Sequence, residues 1–288
     1  MNVSQWLKQA SLELAEHGSA RLDADLIICY VLGCQRTTLY AWPEKNLSTD
    51  QLSQLSELLD KRKLGHPIAY LTQYREFWSL EFKVSDDVLV PRPETELLVA
   101  LALQSISIYC KHPILDAGTG SGVIATAVTH QCHSNWVEHP GVRPFIIASD
   151  NCPEALTLAS YNAARHAPGR ISFVQSNWLD AFADNTFGMI ISNPPYLAKN
   201  DAHFNDKTLQ HEPIGALVGG EDGLDDIRTL IQDACRAGTP GCYLLLEHGA
   251  TQADAVCALM HQSNYTNVQT HQDIAGLDRV TCGNCPKN

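Results

Sequence analysis

Apolar positions along the chain change period twice. Over the first 65 residues they recur at helical spacing: Val3, Leu7, Ala10 and Leu14 share a face, and Gly18 offers a stop. Leu22, Leu26, Tyr30 and Val31 continue that pattern to Gly33. Ser48 suits the N-cap of a third helix bearing Leu52, Leu55 and Leu59, closed by Gly65-His66-Pro67. From Trp78 the period falls to two, with Trp78, Leu80, Phe82 and Val84 alternating with polar residues, as in a half-buried strand. Asp86-Asp87 is the expected turn of a hairpin whose second strand is Val88-Leu89-Val90. The pattern predicts a helical domain over 1–75, a hairpin linker over 76–92 that bridges it to the rest, and a larger domain over 93–288.

After residue 112 strand and helix alternate. Apolar strands begin near Ile114, Phe145, Ile171, Gly188 and Tyr243, with helices near Val123, Pro153, Asp225 and Ala253. Such alternation predicts an α/β fold with a doubly wound, mostly parallel sheet covered on both faces. Ligands in these sheets sit outside the carboxyl ends of the strands. Residues 131–141 are polar and pattern-free, and the expectation there is a surface loop. Pro91-Arg92-Pro93-Glu94-Thr95-Glu96 leads into a helix with Leu97, Leu98 and Leu101; prolines and acids suit its first turn, but Arg92 is left over as a loop arginine beside a site.

Composition narrows the class. The chain has 288 residues, 44% hydrophobic and 18% charged, with a net charge of −12. No apolar run approaches the ~20 residues of a membrane span, and the N-terminus lacks the features of a signal peptide. Ten cysteines in that setting are expected as reduced thiols of a cytoplasmic protein. The charge is uneven: residues 1–75 hold eight basic and eight acidic side chains, so the remaining 12 basic and 24 acidic ones follow. Without a basic patch, direct nucleic-acid binding is not expected.

Candidate chemistry gathers at strand ends. Gly118-Thr119-Gly120-Ser121-Gly122 follows the apolar strand from Ile114 and opens a helix, so a ligand can approach the backbone closely. Val123 breaks the G-x-G-x-x-G dinucleotide fingerprint, and an acid precedes the turn, which suits a nucleoside with a zwitterionic tail. Asp150, at the next strand end, can accept both ribose hydroxyls. The third strand ends in Ser176-Asn177-Trp178, an amide and an indole placed to flank an adenine. Together these features point to S-adenosylmethionine. The fourth strand runs into Ser192-Asn193-Pro194-Pro195-Tyr196, where two prolines forbid helix and continued sheet. The Asn193 side chain and the Pro194 carbonyl offer two acceptors for a planar –NH2 group, with Tyr196 to cover its face.

These motifs resemble the release-factor glutamine methyltransferases, a class I S-adenosylmethionine-dependent family. Pro91–Glu96, Leu245-Leu246-Glu247-His248-Gly249 and Asp278-Arg279-Val280 match it as well, and the likeness spans roughly residues 5–283. It implies a seven-stranded sheet and methyl transfer to the side-chain nitrogen (N5) of the glutamine in the Gly-Gly-Gln motif of class I release factors. Asn193, Pro194, Pro195 and Tyr196 would be the catalytic and substrate-binding residues, joined by Arg92. Gly118, Thr119, Gly120, Ser121, Gly122, Asp150, Asn177, Trp178 and Asn193 would hold the cofactor. The helical domain would recognise the substrate protein, and the enzyme would act as a monomer. Two departures stand out: Asn177 replaces the family's usual Asp, and the 131–141 loop is long. The rivals are glutamine methylation of a ribosomal protein, N6-adenine methylation, and a non-catalytic cofactor-binding module. No metal centre is expected: His130, Cys132, His133 and His139 read as a solvated loop, and Cys282-Gly283-Asn284-Cys285 as a frayed reduced tail. His248 is expected to be structural.

Overall fold

The computed structural model describes residues 1–16, 18–134 and 144–287. They form two compact units, one of Met1–Tyr74 with Phe204–His211, the other of Arg75–His203 with Glu212–Asn288. The excursion at Phe204–His211 is a feature that contiguous boundaries do not contain.

The first unit is helical. Helix α1 (Val3–Glu13) opens at a capping box, in which the Asn2 side chain accepts from Gln5 N–H and the Gln5 side chain accepts from Asn2 N–H. Helix α2 (Ala20–Leu32) stops at Gly33, whose left-handed φ of 59° closes the last turn. After a short α3 (Arg36–Ala41), Ser48 and Gln51 form a second capping box at the head of α4 (Thr49–Lys63), and α5 (Ile68–Thr72) follows Pro67. The apolar faces of α1 and α4 enclose Ala24, Ile27 and Ile28. The buried face of α2 differs from the expected one. Leu22 and Tyr30 are each 43% exposed, whereas Asp23 and Asp25 are buried. Arginines make this possible: Arg62 Nε donates to Asp23 at 2.7 Å, and Arg21 and Arg36 both reach Asp25. Pairing of this kind offsets the cost of burying charge and turns the helix away from its hydrophobic pattern.

The hairpin lies earlier than its pattern suggests. Its strands are β1 (Tyr74–Phe77) and β2 (Leu80–Lys83), and the turn is Trp78-Ser79, both residues at positive φ. Left-handed geometry at both central positions matches the twist of the strands. Val88-Leu89-Val90 forms no strand; Val90 N–H instead donates to Glu212 at 3.1 Å.

A 3-10 turn (Pro93–Thr95) leads into α6 (Glu96–Tyr109). Then come β3 (Ile114–Ala117), α7 (Val123–Ser134), β4 (Ile146–Asp150), α8 (Pro153–His166), β5 (Ile171–Gln175), β6 (Phe187–Ser192), α9 (Asp225–Ala237), β7 (Gly238–Glu247), α10 (Ala253–Gln262), β8 (Thr266–Gln272) and β9 (Asp278–Asn284). Helix α7 carries residues 131–134 as its last turn, which corrects the expected loop there, while 135–141 lie outside the described residues. The seven strands order as β5-β4-β3-β6-β7-β9-β8. The first five run parallel, and β9 is antiparallel to both its neighbours. Helices α6 and α7 pack on one face, α9 and α10 on the other. The chain winds outward from β3 and then returns to its other side with β6, so the crevice of this sheet opens at the carboxyl ends of β3 and β6. Among the described residues no helix is long and apolar enough to cross a membrane.

Candidate active site

Sheet register sets the site. Ala117 of β3 pairs with Ser192 of β6, and Ser192 Oγ donates to the Ala117 carbonyl at 2.7 Å. The glycine-rich turn and the Asn-Pro-Pro-Tyr turn therefore leave the sheet side by side. A cavity opens where they part, lined by Gly118 to Ser121, Asp150, Ser176, Trp178, Asn193 and Pro195, with Arg92 and Thr95 on the wall.

The three glycines serve different ends. A side chain at Gly118 would meet the Trp178 ring at 3.0 Å, and one at Gly122 would meet Ala159 of α8 at 2.9 Å. Both sit at positive φ, so each is needed for a close approach of protein to protein. At Gly120 nothing lies within 4 Å of the place a side-chain carbon would take, and its bare backbone faces open space. Asp150 braces the turn: one carboxylate oxygen accepts from Gly120 N–H at 2.9 Å and the other from Cys152 N–H at 3.0 Å. Behind the turn, one oxygen of Asp116 accepts from Thr119 Oγ (2.6 Å) and Ala125 N–H (3.0 Å), while the other is buried without a partner. Burial pushes the Asp116 carboxyl up to about 6 against the pull of those two hydrogen bonds.

At the second turn the Asn193 amide nitrogen donates to Thr95 Oγ at 3.1 Å. Its carbonyl oxygen is buried and has no partner. An orphan acceptor costs about 1–3 kcal/mol, so it marks a place where a donor is missing. Arg92 lies on the cavity wall with its guanidinium held by the buried carboxylate of Glu212 at 2.5 Å. Pro194 and Tyr196, in contrast, lie outside the lining. Tyr196 is packed against the core cluster on its face of the sheet, and burial raises its hydroxyl well above the usual tyrosine range. Asn177 is also outside: it is exposed, and its side chain donates to Asp180 at 3.2 Å. Trp178 forms cavity wall, its indole N–H donating to Asp226 at 3.0 Å.

Family models agree with this geometry along the chain. The PrmC N-terminal domain matches residues 5–72 and a methyltransferase domain matches residues 111–285. Release factor glutamine methyltransferases of Salmonella typhimurium and Vibrio cholerae are 42% and 41% identical to this chain. Each alignment covers 98% of it, with 99% and 96% of the relative. The chain belongs to the release factor glutamine methyltransferase family. A solved methyltransferase from Pyrococcus furiosus, 14% identical, superposes with a TM-score of 0.50 over 83% of this chain and 100% of its own, a likeness of fold.

Several contacts of this methyltransferase carry no signal in sequence, although Thr95 itself lies in the Pro91–Glu96 segment. Thr95 reaches Asn193 across 98 residues of chain, and Glu212 reaches Arg92 across 120, so only the folded chain brings these pairs together. The remaining candidates are structural. His248 is buried between Thr281 Oγ and the Gly249 carbonyl, and burial lowers its pKa. Cys282 and Cys285 are not a frayed tail; they are 1% and 2% exposed and belong to the cores on opposite faces of the sheet. His130 and His133 are held by the backbone carbonyls of His166 and Thr129, and burial raises the Cys132 thiol to about 11. His139 lies outside the described residues. Among the described residues no three side chains are grouped to hold a metal ion.

Proposed function

We propose that this methyltransferase moves the methyl group of S-adenosylmethionine to the N5 nitrogen of the glutamine in the Gly-Gly-Gln motif of class I peptide chain release factors. The observation that carries the reading is the buried, partnerless carbonyl oxygen of Asn193 on the wall of a cavity shared with the glycine-rich turn. Near-full-length identity of about 40% to release factor glutamine methyltransferases supports the substrate.

The residues fit the cofactor. Gly120 offers an open backbone cradle, the unpaired oxygen of Asp116 supplies negative charge behind the turn for an amino-acid ammonium, and Asp150 keeps lone pairs for ribose hydroxyls. Trp178 and Ser176 wall the far end. When bound, the cofactor supplies an electrophilic methyl group on a sulfonium.

The chain itself supplies position and charge. A carboxamide nitrogen is a poor nucleophile because its lone pair is delocalised, a coupling whose rotation barrier is ~18–20 kcal/mol in peptides. In our reading, Asn193 Oδ1 takes one hydrogen of the glutamine –NH2, and the Pro194 carbonyl, which lies outside the cavity lining, takes the other once the substrate is seated. That aims the nitrogen face at the methyl group and favours its pyramidal form, so most of the acceleration comes from orientation and fixed dipoles. No general base is assigned: the methylated nitrogen is strongly acidic and loses its proton to water. Arg92, fixed by Glu212, borders the substrate side. We assign recognition of the release factor to the helical unit, which carries no site chemistry, and expect a cytoplasmic monomer. The acidic surplus after residue 75 argues against a nucleic-acid substrate.

The test is labelled-methyl transfer to a purified release factor with its Gly-Gly-Gln glutamine intact or replaced. Label should enter only the intact protein, and Asn193→Ala should cut the rate ~10²–10³-fold while cofactor affinity changes little. Equal labelling of both substrates would overturn the reading.

A further inference from the structure

Glu247 ends β7 and is 0% exposed, yet neither of its carboxylate oxygens has a hydrogen-bond partner. Its predecessor Leu246 pairs with Ser192, so Glu247 stands next to Asn193 at the carboxyl edge of the sheet. The Thr95 and Tyr196 hydroxyls lie against the carboxylate without completing a hydrogen bond to it. A buried carboxylate is an acceptor only, and the strongest one within reach. It draws the single hydrogen of the Thr95 hydroxyl towards itself. The Thr95 oxygen is then left to accept, and it does accept, from the –NH2 end of Asn193 at 3.1 Å. Asn193 lines the cavity, and an amide turned that way leaves its carbonyl oxygen, not its –NH2, as the group still without a partner. Turned the other way, it would offer a donor to a substrate –NH2 that needs an acceptor.

We propose that Glu247, acting through Thr95, is the positioning residue that fixes which end of the Asn193 amide faces the substrate. The inference rests on the amide-clamp reading above and deepens it. The Tyr196 hydroxyl stands against the same carboxylate, and the side chain is packed there rather than turned into the cavity.

The relay is sensitive to protonation. Burial raises the Glu247 carboxyl to about 7, with the Glu94 charge adding to the rise and the Thr95 and Tyr196 hydroxyls and the Arg279 guanidinium opposing it. Burial lowers the pKa of the adjoining His248 and so disfavours its charged form. Below about pH 7 a protonated Glu247 can donate to Thr95, and the hydrogen-bond direction is no longer enforced. Turnover should therefore rise with pH through about 7.

Glu247→Gln keeps the shape but can both donate and accept, so it no longer dictates a direction. We expect kcat to fall roughly 10–100-fold, the range for losing a group that orients a functional ligand, with cofactor affinity and KM little changed and the acid limb of the pH profile gone. Thr95→Ser should retain activity, and Thr95→Val should lose as much as Glu247→Gln. The double variant should be no worse than the poorer single one, as for residues acting as one unit. Removing a buried, unpaired carboxylate should also leave Tm at pH 8 unchanged or higher. Glu247→Gln at the wild-type rate while Asn193→Ala is inactive would overturn this inference and leave the clamp standing. Wild-type rates in both would overturn the clamp itself. A fall in activity that merely tracks a lower Tm and weaker cofactor binding would show Glu247 to be structural and also sink the inference.

Discussion

The helical unit and the catalytic unit bury carboxylates in opposite ways. In the helical unit Asp23 and Asp25 are each met by arginine, and Ser19 Oγ adds a hydrogen bond to Asp23 at 2.9 Å. In the catalytic unit Glu212 is treated likewise, by Arg92 and Val90 N–H, but among the described residues Asp116 keeps one unpaired oxygen and Glu247 two, with the Arg279 guanidinium acting on Glu247 without pairing to it. Physical chemistry gives these two arrangements different meanings. A buried pair is close to neutral for stability and fixes geometry. A buried carboxylate oxygen with no partner is a standing cost, and one that persists at the carboxyl ends of parallel strands, behind a cavity wall, marks a group that serves the site. The contrast separates scaffold from site without reference to any motif.

The largest expected effect breaks the scaffold side of that contrast. Arg62→Met leaves Asp23 buried without its cation, with only the Ser19 hydroxyl against it, and should cost ~3–5 kcal/mol of stability. Chemical denaturation followed by far-UV circular dichroism would measure it. The double variant Asp23→Leu with Arg62→Met should recover most of the loss, because it removes the uncompensated charge. A single variant as stable as the native chain would show that the pair is not the reason for the buried face of α2.

Asp116→Asn tests the other side and should behave in the opposite sense. The folded pKa of Asp116, about 6, lies above its ordinary 3.8. Between those values the unfolded chain gives up its proton first, so stability falls as pH rises through this window. Removing the acid removes that loss, and Tm at pH 8 should be equal or higher. Cofactor affinity should drop by ~1.5–3 kcal/mol at pH 8, the scale of a hydrogen bond to a charged group. In the native protein that affinity should also weaken as pH falls through about 6, and the variant should lack this dependence. Calorimetric titration at pH 5 and pH 8 separates the outcomes, and unchanged affinity at both would remove Asp116 from the cofactor's reach.

What can be seen in the sequence follows the range of the signal. The glycine turn, Asp150 and Asn193 can be put at strand ends from sequence because strand and turn are contiguous, and alternation of period announces the parallel sheet, whereas Pro194 and Tyr196 of the same motif stand outside the cavity lining. The role of Glu247 is not legible, because it depends on β6 and β7 being neighbours and on a threonine from the helix start before β3. The hairpin is displaced from its expected place because alternation continues through Trp78-Ser79, where nothing in residue type marks left-handed backbone. The α2 face departs from its pattern because hydrophobicity assigns acids to water, and a buried ion pair overrides it.

Asn177 gives the smallest effect and the finest division between the two classes. In sequence it stands one residue before Trp178, the place of an adenine partner, and a charged acceptor there should strengthen binding. In the structure it is exposed, already bonded to Asp180, and off the cavity wall. Asn177→Asp would place two exposed carboxylates three residues apart, at little cost in water. Cofactor affinity should therefore shift by less than ~0.5 kcal/mol, as for a surface change away from any buried feature. A tenfold gain, about 1.4 kcal/mol, would mean that the Ser176-Asn177 backbone swings inward on binding. The unpaired-acid rule would then be too strict, since an exposed and partnered polar group would have been recruited to the site. No change would leave the adenine end of the cavity to Trp178 and Ser176, and would confirm that this site is written in its buried, unsatisfied atoms.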